Sequence, residues 1–207
     1  MQMDWFAVVG TVAFTFSGYL VGVRKHLDVL GVVIVSLLSA IGGGLIRDAL
    51  VSRMPLVFHD TEPLIVITAT LIVAWVMRLH QRESGLIARL FIVADSIGLV
   101  AFSLTGAMVG LSLGLNAFGV VMLSFVTAVG GGMVRDMMVN EIPFILNQDF
   151  YGTVAILVAG GLYLLDHFGT VTALGLQALF WGGLALRLLA HWKELALPRI
   201  VKPANTE

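Results

Sequence analysis

Two stretches with nearly the same spelling carry most of the chemistry this chain can offer: "AIGGGLIRDALVSRMP" at 40–55 and "AVGGGMVRDMMVNEIP" at 128–143. Each sets three glycines, Gly42 to Gly44 and Gly130 to Gly132, shortly before an arginine and an aspartate, Arg47 with Asp48 and Arg135 with Asp136. Each glycine in a helix interior is less favourable than alanine by about 1 kcal/mol, so a triplet marks a place where a helix can bend or open. Freed carbonyls would then have to face protein or water, because lipid cannot satisfy them. Plain close packing of a neighbouring helix is the other reading of small residues; two symmetric triplets, each followed by Arg-Asp, favour a kink beside a pathway. Charges within a membrane pair with each other, face a cavity or reach the interface. A structural ion pair or helix-end anchor therefore stands beside direct contact with a permeating ion. An unpaired arginine would repel a cation, so each is expected to be neutralised by an aspartate, leaving backbone and hydroxyl oxygens to handle the ion.

Hydroxyls stand at matching places. "FTFSG" at 14–18 maps onto "FSLTG" at 102–106, setting Thr15 against Ser103 and Ser17 against Thr105, while Ser36 and Ser39 match Ser124 and Thr127. A single intramembrane hydroxyl usually bonds its own helix; in duplicate these eight are candidate pore-lining groups. Asp95 falls within an apolar run and has no acidic mate, since Ala7 occupies the matching position. Such a carboxylate is a functional candidate, with pairing to an arginine as the competing reading. "GYLVG" at 18–22 and "GAMVG" at 106–110 permit close helix approach, read as packing within the chain. The five histidines lie at span ends without metal-ligand spacing and are read as structural.

The elements that must position these groups follow from composition. The chain of 207 residues is 58% hydrophobic and 12% charged, with a mean hydropathy of +0.98, the profile of a polytopic membrane protein rather than a soluble domain. Apolar runs of the roughly 20 residues a spanning helix needs lie at 4–23, 28–52, 61–79, 86–111, 116–139, 150–166 and 169–192. The first is read as a retained helix, because Asp4 stands where a signal peptide carries basic residues. The chain has no cysteine, which excludes disulfides and thiolate chemistry, and a net charge of −1 argues against nucleic acid as a partner. With seven spans, Arg24, Lys25, Arg78, Arg82, Arg89, Arg135, Arg187, Lys193, Arg199 and Lys202 fall on one side and only Arg47 and Arg53 on the other. The positive-inside rule then puts the N-terminus outside and the C-terminus in the cytoplasm.

The offset between the two motifs, from 42 to 130, is 88 residues, and aligning 14–55 with 102–143 at that offset gives 17 identities in 42 positions without a gap. This is an internal duplication. Because each repeat holds three spans, the second enters from the opposite face, an inverted repeat of a kind that recurs in secondary transporters with paired glycine-interrupted helices at the site. The expected fold is all-α and polytopic, three plus three helices plus one. Its parts are a first repeat over 1–80, an inverted repeat over 86–168, a seventh helix over 169–192 and a cytoplasmic tail over 193–207.

With its doubled GGGxxRD segments in this arrangement, the chain resembles the prokaryotic branch of the trimeric intracellular cation channel (TRIC) family over roughly 4–192. The resemblance implies a homotrimer in the bacterial inner membrane. Each protomer would carry a pore between kinked helices two and five, at Gly42 to Gly44 and Gly130 to Gly132 with Arg47, Asp48, Arg135 and Asp136 beside it, passing monovalent cations and chiefly potassium. Membrane lipids would be its surroundings and bound lipid its only companion besides the permeant ion; no cofactor or metal is expected. The lysine through which animal members hold a phosphoinositide has no match here.

A passive potassium-permeable channel is thus the leading expectation. The alternative, kept alive because prokaryotic relatives have been labelled glycine-transporter-like, is an alternating-access carrier of a small zwitterion, with Asp95 holding the ammonium or coupling protons. An intramembrane enzyme is not expected, since no nucleophile and base stand together.

Overall fold

A computed structural model of the chain describes residues 4–81, 84–147, 150–193 and 195. Arg82, Arg199, Lys202 and most of the expected tail lie outside the described residues. Polar caps start the helices where the apolar runs begin. The Asp4 carboxylate accepts from the Ala7 amide at 2.8 Å to open α1 (Trp5–Arg24), and Asp28 accepts from Gly31 at 2.7 Å to open α2 (Val29–Leu50). After α3 (Glu62–Val76) and α4 (Ser84–Ser112), Asn116, the repeat mate of Asp28, accepts from Gly119 at 2.9 Å and opens α5 (Ala117–Met138). A single turn, α6 (Phe144–Asn147), leads to α7 (Tyr151–His167), and Thr172 caps α8 (Ala173–Trp192). The short α6 was not foreseen; its mate is the 3-10 turn Leu56–Phe58, each following one of the matched prolines, Pro55 and Pro143. The α1 and α4 ends close alike, with Leu27 donating to the Gly22 carbonyl and Leu115 to the Gly110 carbonyl. The left-handed residue this requires is Gly114 in one repeat and His26, at φ 54°, in the other.

Among the described residues five helices, α1, α2, α4, α5 and α8, are long and apolar enough to cross a membrane by length and composition. The runs expected at 61–79 and 150–166 fold as α3 and α7, which are apolar but only 15 and 17 residues long. Pro63 fixes the start of α3, and the chain turns through a second 3-10 segment, Leu79–Gln81, before α4.

The helices pack in pairs that repeat. Gly10 faces the Phe102 ring and Gly98 the Phe14 ring, the two rings meeting at 5.3 Å between centroids where α1 crosses α4. A Cβ on Gly18 would stand 2.6 Å from Ser36 of α2, and one on its mate Gly106 would stand 2.8 Å from Ser124 of α5. The glycines of both Gly-x-x-x-Gly pairs therefore serve contacts within the chain. Gly43 lies on the Thr127 carbonyl and Gly131 on the Ser39 carbonyl. Ascending α2 thus descends α5, and the two helices cross antiparallel at their glycines.

Neither triplet interrupts its helix: α2 and α5 are helical from end to end. The helices are thus not opened at Gly42 to Gly44 or at Gly130 to Gly132. The glycines serve approach instead, Gly42, Gly43, Gly130 and Gly131 meeting across the crossing. Gly44 and Gly132 lie beside the guanidinium groups of Arg47 and Arg135, leaving room for each arginine to fold back along its own helix.

Gly43→Ala is expected to lower the stability of the purified protein by about 1–3 kcal/mol, as overpacking a well-filled site does. Gly160→Ala, in α7 with open space around it, should leave the thermal unfolding midpoint in detergent within experimental scatter.

Candidate functional site

The two Arg-Asp pairs occupy opposite ends of the α2–α5 crossing and are built alike. Arg47 Nε donates to Asp48 Oδ1 at 2.8 Å and Nη2 to Oδ2 at 3.1 Å, while the Leu56 amide donates to Asp48 Oδ2 at 3.4 Å. Arg135 Nε donates to Asp136 Oδ1 at 2.8 Å, and the Phe144 amide, the mate of Leu56, to Asp136 Oδ2 at 2.7 Å. In each repeat the aspartate also ties the segment after its helix to the helix end.

Their surroundings differ. The Arg47 pair borders a cavity of about 110 Å³ whose polar lining includes Asp4, Thr11 and Thr105 among apolar side chains of α1, α2, α3 and α4. The Arg47 side chain keeps 12% of its surface exposed, and that of Arg135 keeps none. Arg135 Nη1 donates to Asp95 Oδ1 at 2.7 Å and to Ser17 Oγ at 2.8 Å, and its guanidinium lies over the Phe91 ring at 4.7 Å. A second buried arginine, Arg187 of α8, lies over Tyr151 at 4.9 Å and Phe144 at 5.6 Å and within the electrostatic reach of Asp95. Two guanidinium groups and two carboxylates thus balance within one apolar enclosure, the condition for burying any of them.

Asp95 therefore takes the pairing alternative, against Arg135. Of the eight hydroxyls, Thr15, Ser17, Ser36, Ser103, Thr105 and Thr127 donate to carbonyls of their own helices, at 2.6–3.2 Å. Ser124 reaches from α5 to the Ser103 carbonyl of α4 at 2.7 Å. All eight are buried. Ser17 also accepts from Arg135, and Thr105 borders the Arg47 cavity, so these two sit closest to the charges; Ser39 lies at the helix crossing.

Sequence reasoning missed Arg187, Tyr151, Phe91 and Phe144. The available signal for Arg187 was an arginine inside the apolar run "FWGGLALRLLA" of the last span, which was counted as a flanking charge. Arg135, counted on the cytoplasmic flank as well, is wholly buried. The aromatic residues gave no signal, because rings in an apolar run look like ordinary core.

Comparison with known proteins gives a consistent set of likenesses. A family described as "Glycine transporter" matches residues 4–81 and 92–167. The UPF0126 membrane protein of Deinococcus radiodurans is 37% identical over 196 residues, covering 92% of this chain and 86% of the relative. The UPF0126 inner membrane protein YadS of Escherichia coli is 31% identical over 208 residues, 99% of each chain. A solved TRIC cation channel superposes with a TM-score of 0.82 at 32% identity, covering 99% of this chain and all of the other. The trimeric intracellular cation channel orthologue of Rhodobacter sphaeroides gives a TM-score of 0.83 at 30% identity, covering 92% of this chain and 97% of the other. These relatives are membrane proteins and channels, not enzymes.

Asp95→Ala should cost about 3–5 kcal/mol, the usual penalty for removing one partner of a buried ion pair, whereas Arg47→Ala, beside a cavity, should cost less. Thermal unfolding of the two variants in detergent measures the difference.

Proposed function

The chain belongs to the TRIC/UPF0126 family, and from that premise we propose that it is a cation channel of the bacterial inner membrane, permeable to potassium, with a pore in each protomer of a homotrimer. The pathway runs beside the α2–α5 crossing, between the Arg47 pair at the outer end and the Arg135 cluster at the cytoplasmic end. The observation that carries this reading is the exchanged pair of contacts at the crossing, Gly43 on the Thr127 carbonyl and Gly131 on the Ser39 carbonyl. Adding 88 to one partner and subtracting it from the other turns each contact into its mate, as a two-fold axis in the membrane plane requires. With α3 and α7 as short spans, seven helices then alternate in direction. Asp4, Asp48, Pro63 and Val109 meet at one end of the bundle, and Arg24 and Glu141 meet at the other, in keeping with that alternation, with the N-terminus outside and with repeats over 1–80 and 86–168.

Unbroken helices offer no row of freed carbonyls, so the ion is handled by carboxylate and hydroxyl oxygens, at weak sites it can leave. With Arg135 wholly buried, this conformation is closed at the cytoplasmic end and open toward the Arg47 cavity. Conduction requires Arg135 to move with its carboxylates. The zwitterion carrier is favoured only by the family's description as a glycine transporter. It loses one support here, because unbroken α2 and α5 expose no helix N-termini at their glycines to attract a carboxylate.

Recording from the purified protein in a planar bilayer under a potassium gradient, repeated with sodium and with glycine, is expected to give discrete unitary currents reversing near the potassium potential. Silence together with saturable glycine uptake into liposomes, abolished by Asp95→Asn, would establish the carrier instead.

A further inference from the structure

The two ends of the repeat differ in one further set of charges, at the surface beyond the Arg135 cluster. Glu141, in the segment that follows α5, accepts from Arg24 Nη2 at 2.8 Å and pairs with Lys25 Nζ at 2.7 Å. Its backbone amide is held by the Asp136 carbonyl at 2.9 Å, so the side chain ties the end of α5 to the end of α1. Arg24 also lies over the outer edge of the enclosure, 5.7 Å from the Phe91 ring, and Arg135 lies 4.7 Å from the same ring. At the other end of the molecule the corresponding residues are Arg53 for Glu141, Ser112 for Arg24 and Leu113 for Lys25. Among the described residues none of these makes such a tie, and a serine and a leucine have no charge to offer an arginine. The bridge is therefore a feature of one end alone, the same end at which the second arginine is buried.

We propose that Glu141, gripped by Arg24 and Lys25, is a proton-sensitive latch that holds the Arg135 end of the pathway shut, and that protonating it on the cytoplasmic face favours opening. This rests on the channel reading. The latch joins α1, which contributes Ser17 to the Arg135 cluster, to the end of α5, which carries Arg135 and Asp136, so it holds together two of the elements that must shift if Arg135 is to move with its carboxylates. The charged groups acting on Glu141 are Arg24 and Lys25 of the α1 end and Arg135 of α5, while α4 presents Phe91 to Arg24. Partial burial pushes the Glu141 carboxyl up, but the hydrogen bond from Lys25 and the charges of Arg24, Lys25 and Arg135 outweigh it and hold the group below the usual glutamate range. For a carboxyl so lowered, the bridge is complete at neutral pH and is lost as pH falls through the folded-state value.

The test is flux of a potassium surrogate into liposomes as a function of pH for the wild type, Glu141→Gln and Arg53→Gln. Glu141→Gln should raise flux at neutral pH by a factor of about two to five, what a half-exposed ion pair shifts in a two-state equilibrium, and should flatten the acid response. Arg53→Gln should behave as wild type. Glu141→Lys should open the channel similarly, and adding Arg24→Glu and Lys25→Glu should restore the closed behaviour, which a mere packing role would not. In parallel, amide hydrogen exchange across 136–146 in nanodiscs should be faster in Glu141→Gln at neutral pH, matching the wild type in acid after correction for intrinsic rates. A wild type that carries no flux at any pH sinks the channel reading and leaves the latch to be decided by exchange alone. Flux present but indifferent to Glu141→Gln, or exchange unchanged by it, overturns the latch.

Discussion

Burying the guanidinium of Arg135 is the constraint around which the rest of this molecule is arranged. Moving an ion of that size out of water costs several kcal/mol even after the protein relaxes, and here no part of the side chain reaches the surface. Four elements combine to make it tolerable. Gly132, one turn earlier on α5, leaves room for the side chain to lie back; α4 supplies Asp95; α1 supplies Ser17; and the Phe144 amide at the start of α6 fixes Asp136 so that its other oxygen faces Arg135. Phe91 closes one face of the guanidinium. Each of these partners is held in turn by helix packing, so the ion pair and the fold specify each other.

That packing has to be achieved without the help of water exclusion, since helix faces in a membrane gain nothing by hiding from solvent. Close approach replaces it. The α2–α5 crossing brings glycine onto backbone carbonyl twice, and the α1–α2 and α4–α5 pairs meet at Gly18 and Gly106 against Ser36 and Ser124. Side-chain hydroxyls at these seams mostly bond their own helices, which keeps polar atoms satisfied and leaves the surfaces smooth enough for dispersion contacts to act. The α1–α4 contact is filled differently, by interlocked Phe14 and Phe102 rings, each seated on a glycine of the other helix.

Much of this was legible in the sequence, for reasons that can be named. The offset of 88 residues is visible because glycine, Arg-Asp and proline at fixed spacing resist chance in an apolar chain, and the same offset relates most of the contacts seen between helices. The apolar runs read at 28–52 and 116–139 begin at the residues that cap α2 and α5. What the triplets do was not legible: three glycines in a row read equally as a hinge or as a contact surface, and only the position of the facing helix decides between them. The partner of Asp95 was open for the same reason, 40 residues separating it from Arg135. Arg187 was hidden by a rule that is right on average: basic residues near span ends usually flank the membrane, and this one turns inward over Tyr151 and Phe144, within electrostatic reach of Asp95.

The departures from symmetry all act in one direction. Two copies of one segment packed alike would make two equivalent ends, and two equivalent ends would bury their arginines alike. Ala7 against Asp95 breaks the equivalence first: Arg47 pairs with its neighbour Asp48, without a mate of Asp95, and stays beside a cavity. The helix that has no repeat mate breaks it again, because α8 brings Arg187 to the Asp95 side and nothing brings its equivalent to the other. Each addition to that enclosure also demands the next: one arginine with two carboxylates would leave a net negative charge in an apolar interior, and Arg187 is what cancels it. The helix α8 therefore has an electrostatic role at the end of the molecule that carries Asp95.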